Sequence, residues 1–410
     1  MPDQTVDLGI SREYLEKYLT HSGLWSTPER RQRNRYVLSP SAYAVSAAQR
    51  DNLETLGRAT YKAVERLQET IAAHAAAAKK TNEHRKLLKL GRRAARGLLD
   101  PETDRADIIP PVLKVDLVQH ASGCYSIAEV DAYNPRGLGY LALLEESLPT
   151  ECRTKRFPGI ALLCEMLLQK GDPGTAWTIL LSEYERFYEP AFDILARSCV
   201  ERGVQASIVR ERDVAGERGR FVNGHRFHLL LIPETLDHHP DVRVSLMELY
   251  RKGVLQTFYP PTAYLGSKAY LPFLRTQEGM STFLPKTSLV SSKDDPAEVL
   301  RAGPSVLKGT VSSGMKKVIF SDLEPERFEK TLAEARATKT PSWILQEQVL
   351  THAVPVVVFD EGGKRITRDY FLRVVAHITK DGVLDVEVTG RPDRMVHGAP
   401  DCIQLPVIFA

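Results

Sequence analysis

The sequence predicts a mixed α+β and α/β protein with an N-terminal helical region. Three observations carry that expectation. Residues 46–80 place apolar side chains at helical spacing, with alanine filling and few breakers. Residues 175–233 alternate apolar strands with an amphipathic helix, the pattern of a parallel sheet with crossover helices. Residues 354–360 and 369–379 alternate as antiparallel strands do, and Gly362 and Gly363 mark the turn between them.

Taken in order, residues 11–99 read as mainly helical, and Pro110 and Pro111 stop that segment. Two strand-like runs follow at 112–118 and from 127, joined through a short turn at Ala121, Ser122 and Gly123. Residues 138–147 read as a helix. The α/β stretch holds strands at 175–183, 204–210 and 227–233, with helices at 189–203 and 241–253 that each end on a glycine. No GxGxxG follows its first strand, which argues against a dinucleotide site. Beyond residue 260, a helix start at 264–275 leads to a strand at 306–308 and a Gly/Ser loop. A strand at 317–320, a helix at 325–337 opened by Asp322 and a strand at 342–349 complete the segment.

At 410 residues the chain holds two or three packed units, and with 43% hydrophobic and 26% charged residues it reads as an ordinary globular protein. A net charge of +3 gives no argument for a nucleic-acid partner, and the basic runs at 29–35 and 84–96 read as solvated faces. The first ten residues carry acids and no long apolar core, so no signal peptide is expected there. The longest apolar run, near 159–168, is too short to span a bilayer, so no membrane partner is expected. Five cysteines without CxxC spacing argue against a metal knuckle or disulfide framework and for a reduced, cytoplasmic compartment. Cys124 is expected to be a half-buried structural thiol. No oligomeric state is assigned.

The chemistry-bearing run is IAEVDAYNPRGLGY at 127–140. Glu129 and Asp131 are two apart, as are Lys114 and Asp116 on the preceding strand, so each pair shares a strand face. If the strands pair, three carboxylates and an ammonium meet. One reading is a solvated face with cross-strand ion pairs. The other is a cation site, because three clustered carboxylates repel unless a cation lies between them and oxygen ligands suit Mg²⁺.

A second constellation is VLKGTVSSGMKKV at 306–318. A strand delivers Lys308, and Gly309, Thr310, Ser312, Ser313 and Gly314 form a loop whose small residues let backbone N–H groups approach phosphate. It is not a Walker loop, since GxxxxGK[ST] is absent. A hairpin turn with a solvated lysine is the other reading. The strand SWILQEQV at 342–349 ends in Gln346, Glu347 and Gln348, either as polar partners for an adenine edge or as an amphipathic edge strand.

The order strand lysine, glycine-rich loop, strand, helix and Gln-Glu strand resembles the ATP-grasp superfamily. Acids that precede the loop resemble its circularly permuted branch of glutathionylspermidine synthetase and relatives. That branch has Arg-x-Asp and then Glu-x-Asn; here stand Lys114-x-Asp116 and Glu129-x-Asp131, so the arginine is Lys and the asparagine Asp. The resemblance runs from residue 110 onward. It implies an ATP-grasp-like fold divided at 1–109 (helical), 110–170 (acidic hairpin and helix of the metal site), 171–262 (Rossmann-like α/β subdomain) and 263–410 (ATP-binding lobe).

By that resemblance the cofactors are ATP and Mg²⁺. Asp116, Glu129 and Asp131 would hold the metal, Lys268 and Lys308 would contact phosphates, and residues 309–314 would close as a lid. Gln346, Glu347 and Val349 would frame adenine. Lys114 and Arg373 would serve the transferred phosphoryl group, with Arg391 and Arg394 as alternatives for phosphate or substrate. Asn134, Arg136 and Tyr140 would recognise substrate. The implied activity is ATP-dependent ligation of a small-molecule carboxylate to an amine. A nucleotide-binding regulatory or scaffold protein and a small-molecule kinase are the alternatives.

Overall fold

The computed structural model describes residues 4–24, 37–78, 109–120, 122–132, 137–171, 176–182, 188–210, 227–231, 246, 248–250, 252–260, 266–291, 296–310, 317–338, 342–396 and 401–410. The N-terminal segment is less helical than expected. Strand β1 (Thr5–Asp7) precedes helix α1 (Arg12–His21), which Ser11 caps by accepting the Tyr14 N–H at 3.1 Å. Strands β2 (Val37–Leu38) and β3 (Ser41–Val45) then lead into the long helix α2 (Ala47–Ala78). These strands were hidden from pattern reading because runs of two to five residues carry no period, and β3 is buried throughout.

The expected acidic hairpin is formed by β4 (Leu113–Gln119) and β5 (Tyr125–Asp131), paired antiparallel. Its register pairs Lys114 with Asp131 and Asp116 with Glu129, then shifts so that Leu117 pairs with Ile127. Ala128 is therefore the extra residue of a β-bulge. The bulge resolves a conflict of parity. Ile127 and Glu129 would share a face of a regular strand, yet here Ile127 is buried in the apolar core while Glu129 turns to the polar side.

Helices α3 (Leu138–Ser147) and α4 (Gly159–Lys170) follow, with α3 matching its expected bounds. The α/β stretch forms the expected parallel sheet: β6 (Trp177–Leu181), helix α5 (Glu189–Glu201), β7 (Ala206–Arg210), β8 (Phe227–Leu231) and β9 (Leu255–Thr257), in spatial order β7-β6-β8-β9. Within 241–253, the described residues Leu246 and 248–250 are helical. Gly139 lets α3 lie directly on α5, since a Cβ there would sit 2.0 Å from the Ala191 carbonyl oxygen.

A 3₁₀ turn at Lys268–Tyr270 precedes α6 (Leu271–Arg275) and α7 (Met280–Phe283). A small antiparallel sheet then forms from β10 (Thr287–Leu289), β11 (Ser305–Gly309) and β12 (Val318–Phe320), with helices α8 (Pro296–Arg301) and α9 (Pro325–Arg336) and strand β13 (Trp343–Glu347). Its order is β10-β13-β11-β12. Phe328 and Leu332 of α9 pack on Leu307 and Ile319. Asp322 does not cap α9; Glu324 occupies that place, and the Asp322 carboxylate accepts from Arg394 and Gln348 instead.

The remaining strands are β14 (Val354–Phe359), β15 (Arg365–Thr379), β16 (Gly382–Arg391), β17 (Ile403–Leu405) and β18 (Val407–Phe409). The large sheet runs β2-β17-β16-β15-β4-β5, with β14 also on β15. It joins residues from the first, second and last of the expected segments. A fourth sheet, β1-β3-β18, joins the segment before α2 to residues 407–409.

The two faces of the large sheet differ. Leu113, Val115, Leu117, Val374, Ala376, Ile378, Val386 and Val388 point into the main core, where Leu53, Leu56, Val64 and Leu67 of α2 cover them. The opposite face is polar in rows that cross four strands. One row is Glu129, Asp116, Val375, Glu387; the next is Asp131, Lys114, His377, Asp385. Helices α3 and α4 pack against β16. Their entering glycines stand over this polar face, Gly137 above Glu387 and Gly159 above Asp385. Among the described residues, no helix is long and apolar enough to cross a membrane.

Candidate active site

The hairpin brings its charges together and a second set of charges reaches them from far along the chain. Arg373 of β15 donates to Asp116 Oδ2 from Nε at 3.2 Å and from Nη2 at 2.6 Å. The Lys114 ammonium lies 3.7 Å from Asp116 Oδ1. Burial would raise the Asp116 carboxyl, but Arg373 and Lys114 outweigh it and hold it well below the usual carboxylate range. Burial acts against the Arg373 guanidinium, and Asp116 overcomes it, so that guanidinium is held above its ordinary value.

Lys268, 3% exposed in its 3₁₀ turn, pairs with Glu129 Oε1 at 2.7 Å. Lys308 of β11 donates to the Ala128 carbonyl at 2.8 Å and to Gln346 Oε1 at 2.7 Å. The bulge frees that carbonyl, so a local irregularity of β5 is what docks the small antiparallel sheet on the hairpin. Burial pushes the Lys308 ammonium down to about 8, and neighbouring Lys268 adds to this while Glu129 opposes it. Gln346 fixes its amide by donating from Nε2 to Thr287 Oγ1 at 3.1 Å. The Thr310 carbonyl accepts both the Lys268 N–H and the Ser267 hydroxyl, so the base of the loop after Gly309 is tied to the turn that carries Lys268.

Lys114, Asp116, Glu129, Asp131, Lys268, Lys308, Gln346 and Arg373 therefore lie together where the acidic hairpin meets the small sheet and β15. Glu347 is exposed, with its backbone N–H on the Lys286 carbonyl, and Val349 lies past the end of β13. Tyr140 is buried in the core beside α5. Arg391 ends the polar row of β16, but Asp401 holds it at 2.9 Å and the Met395 carbonyl accepts from it. Arg394 pairs with Asp322 at 2.7 Å. Asn134, Arg136, Ser312, Ser313 and Gly314 lie outside the described residues. Cys124 is exposed rather than half-buried.

Among the described residues, no three acidic, His or Cys side chains form a ready metal cage. The donors still suit Mg²⁺, which takes one or two carboxylates and completes its shell with water and phosphate. Asp116 Oδ1 is buried and makes no hydrogen bond, and the Glu129 side chain is 30% exposed.

Pattern reading missed the far half of the polar face. Asp385 and Glu387 are two apart on β16, the same alternation that drew attention to Glu129 and Asp131, and LDVEV was the available signal. Asp385, 2% exposed, pairs with Arg156 and accepts the Val386 N–H at 2.8 Å. Burial raises its carboxyl to about 7 despite Arg156. Burial likewise raises Glu387 to about 7, against Lys114 and Arg373. His377 is fully buried with neither ring nitrogen hydrogen-bonded, and burial together with Lys114 drives it down to about 3, so it stays neutral.

No protein-family model matches the chain, and no curated protein matches it. Among solved structures it resembles a glutathione synthetase-like effector from Globodera pallida, with a TM-score of 0.54 and 11% identity over 98% of each chain. It also resembles a provisional gamma-glutamylcysteine synthetase from Methylobacillus flagellatus, with a TM-score of 0.40 and 13% identity over 88% of each chain. The first likeness shows a shared fold; the second is too distant to add to it.

Proposed function

We propose that this protein is an ATP-grasp ligase that joins a small-molecule carboxylate to an amine and releases ADP. The observation that carries this reading is the convergence of Lys268, Lys308 and Arg373, each more than a hundred residues further along the chain, on the hairpin that carries Lys114, Asp116 and Glu129. Four cations facing a few carboxylates suit a polyphosphate and its metal. The fold shared with a glutathione synthetase-like protein supports the same reading.

In the proposed reaction the γ-phosphoryl group of ATP passes to the substrate carboxylate, and an amine then displaces phosphate to form the amide. Such transfer asks for positioning and charge neutralisation rather than a nucleophilic side chain. Lys308 and Lys268 line the phosphates, and Arg373 neutralises the transferred group. Asp116 orients Arg373 through its paired hydrogen bonds. Glu129, Asp131 and Asp116 Oδ1 would hold Mg²⁺, which supplies Lewis-acid polarisation when bound. By the same reading, closure of the loop that begins at Gly309 would exclude water from the acyl phosphate.

The test is incubation with ATP, Mg²⁺ and a pool of amino acids, with ADP, phosphate and amide measured, and with hydroxylamine added to trap an acyl phosphate as hydroxamate. Amine-dependent ADP release and hydroxamate are expected. ADP release with a stable phosphorylated product would instead identify a kinase. Nucleotide binding without turnover would identify a regulatory or scaffold protein.

A further inference from the structure

The second half-reaction needs a proton acceptor, because an amine at neutral pH is an ammonium and has no lone pair to attack with. The polar sheet face offers three buried candidates beyond the acidic hairpin. Asp385 is committed, held by Arg156 and by the Val386 N–H. His377 is neutral but so weakly basic that it would not take a proton from an ammonium.

Glu387 differs from both. It is 6% exposed, and among the described residues it makes no hydrogen bond or ion pair. A buried carboxylate without a donor is costly, so its retention calls for a ligand that donates to it. Its place in the fold fits that role. Glu387 and Asp116 flank Val375 on the same sheet face, one strand to either side, so Glu387 stands about 10 Å from Asp116 by strand spacing. Gly137 packs against the carboxylate, where a Cβ would lie 2.9 Å from Glu387 Oε1, so the absence of a side chain there lets Glu387 keep its place.

We infer that Glu387 is the general base of the amine half-reaction, taking a proton from the acceptor ammonium beside the Arg373-bound acyl phosphate. This rests on the ligase reading. The N–H bond of the ammonium breaks and its proton passes to a Glu387 oxygen. The freed lone pair forms the C–N bond, and the C–O bond to phosphate breaks with its electrons leaving on phosphate. The second ammonium proton goes to the departing phosphate or to water. A carboxyl near neutral pKa suits a base that must both accept and release a proton at pH 7. The charged groups that set it are Lys114 and Asp116 of β4, Arg373 of β15 and Asp385 of β16.

Hydroxylamine separates this role from a structural one, because it is already unprotonated at neutral pH and needs no base. Glu387→Gln, assayed with ATP, Mg²⁺ and the amino-acid pool, is expected to lose about 100-fold in amide formation. The same variant should keep wild-type hydroxamate formation, and its amide rate should recover as pH rises and free amine accumulates. Unchanged amide formation would overturn the assignment. So would equal loss of amide and hydroxamate, which would mark a residue needed only for the shape of the site. Failure of the wild-type protein to make hydroxamate would instead remove the ligase reading itself.

Discussion

Lys308 and Asp116 are both site residues, yet the structure gives them opposite tolerances. Lys308 is an ammonium kept out of water by two acceptors, and its lowered value means the charged form is lost as pH rises through about 8. Nucleotide affinity, followed by calorimetry with ATP and Mg²⁺, is therefore expected to fall above that pH. Lys308→Met should abolish the fall and weaken binding by roughly 2 kcal/mol. Asp116 is also structural, because its removal strands the Arg373 guanidinium. Asp116→Ala is expected to cost about 3 kcal/mol in urea denaturation. Glu129→Ala should abolish turnover and also lower stability in urea, because it removes the carboxylate that the buried Lys268 ammonium pairs with. The Asp116 carboxyl is depressed in the fold, so its stabilisation is present above the unfolded value of about 4 and fades as pH drops below it. Wild type should accordingly lose stability in acid more steeply than Asp116→Asn.

The elements that pattern reading found were those marked by an apolar run with clear ends or by strict alternation. The helix at 138–147, the parallel strands after 175 and the acidic hairpin are formed where expected. Bulges and close contacts have no such period. Nothing in AEVD announces that Ala128 is extruded, although that extrusion turns Glu129 out of the core and offers Lys308 its anchor. The contact of α3 with α5 depends likewise on a single absent methyl. Gly139→Ala, a substitution that favours helix in isolation, is expected to destabilise the protein by about 2 kcal/mol or more, because the new Cβ meets backbone rather than a movable side chain. A midpoint in urea equal to wild type would contradict that packing. The late arginines lie in ion pairs, Arg391 with Asp401 and Arg394 with Asp322.

At the scale of the molecule, local pattern reading failed where partners are distant in sequence. The short strands β2 and β3 take their identity from β17 and β18, more than three hundred residues on. Removal of residues 402–410 takes away both of those strands and part of each sheet. The truncated protein is expected to lose cooperative thermal unfolding by circular dichroism rather than merely to melt a few degrees lower. The polar face is likewise a product of the whole, since the hairpin supplies Lys114, Asp116, Glu129 and Asp131 while β15 and β16 add Arg373, Asp385 and Glu387 from far along the chain. The same long-range pairing bears on biosynthesis. Strand β3 is made early and can pair with β1 at once, but its other edge waits for β18 until almost everything else has left the ribosome. A mostly apolar strand with one edge open that long is an opening for chaperones, and for aggregation in their absence.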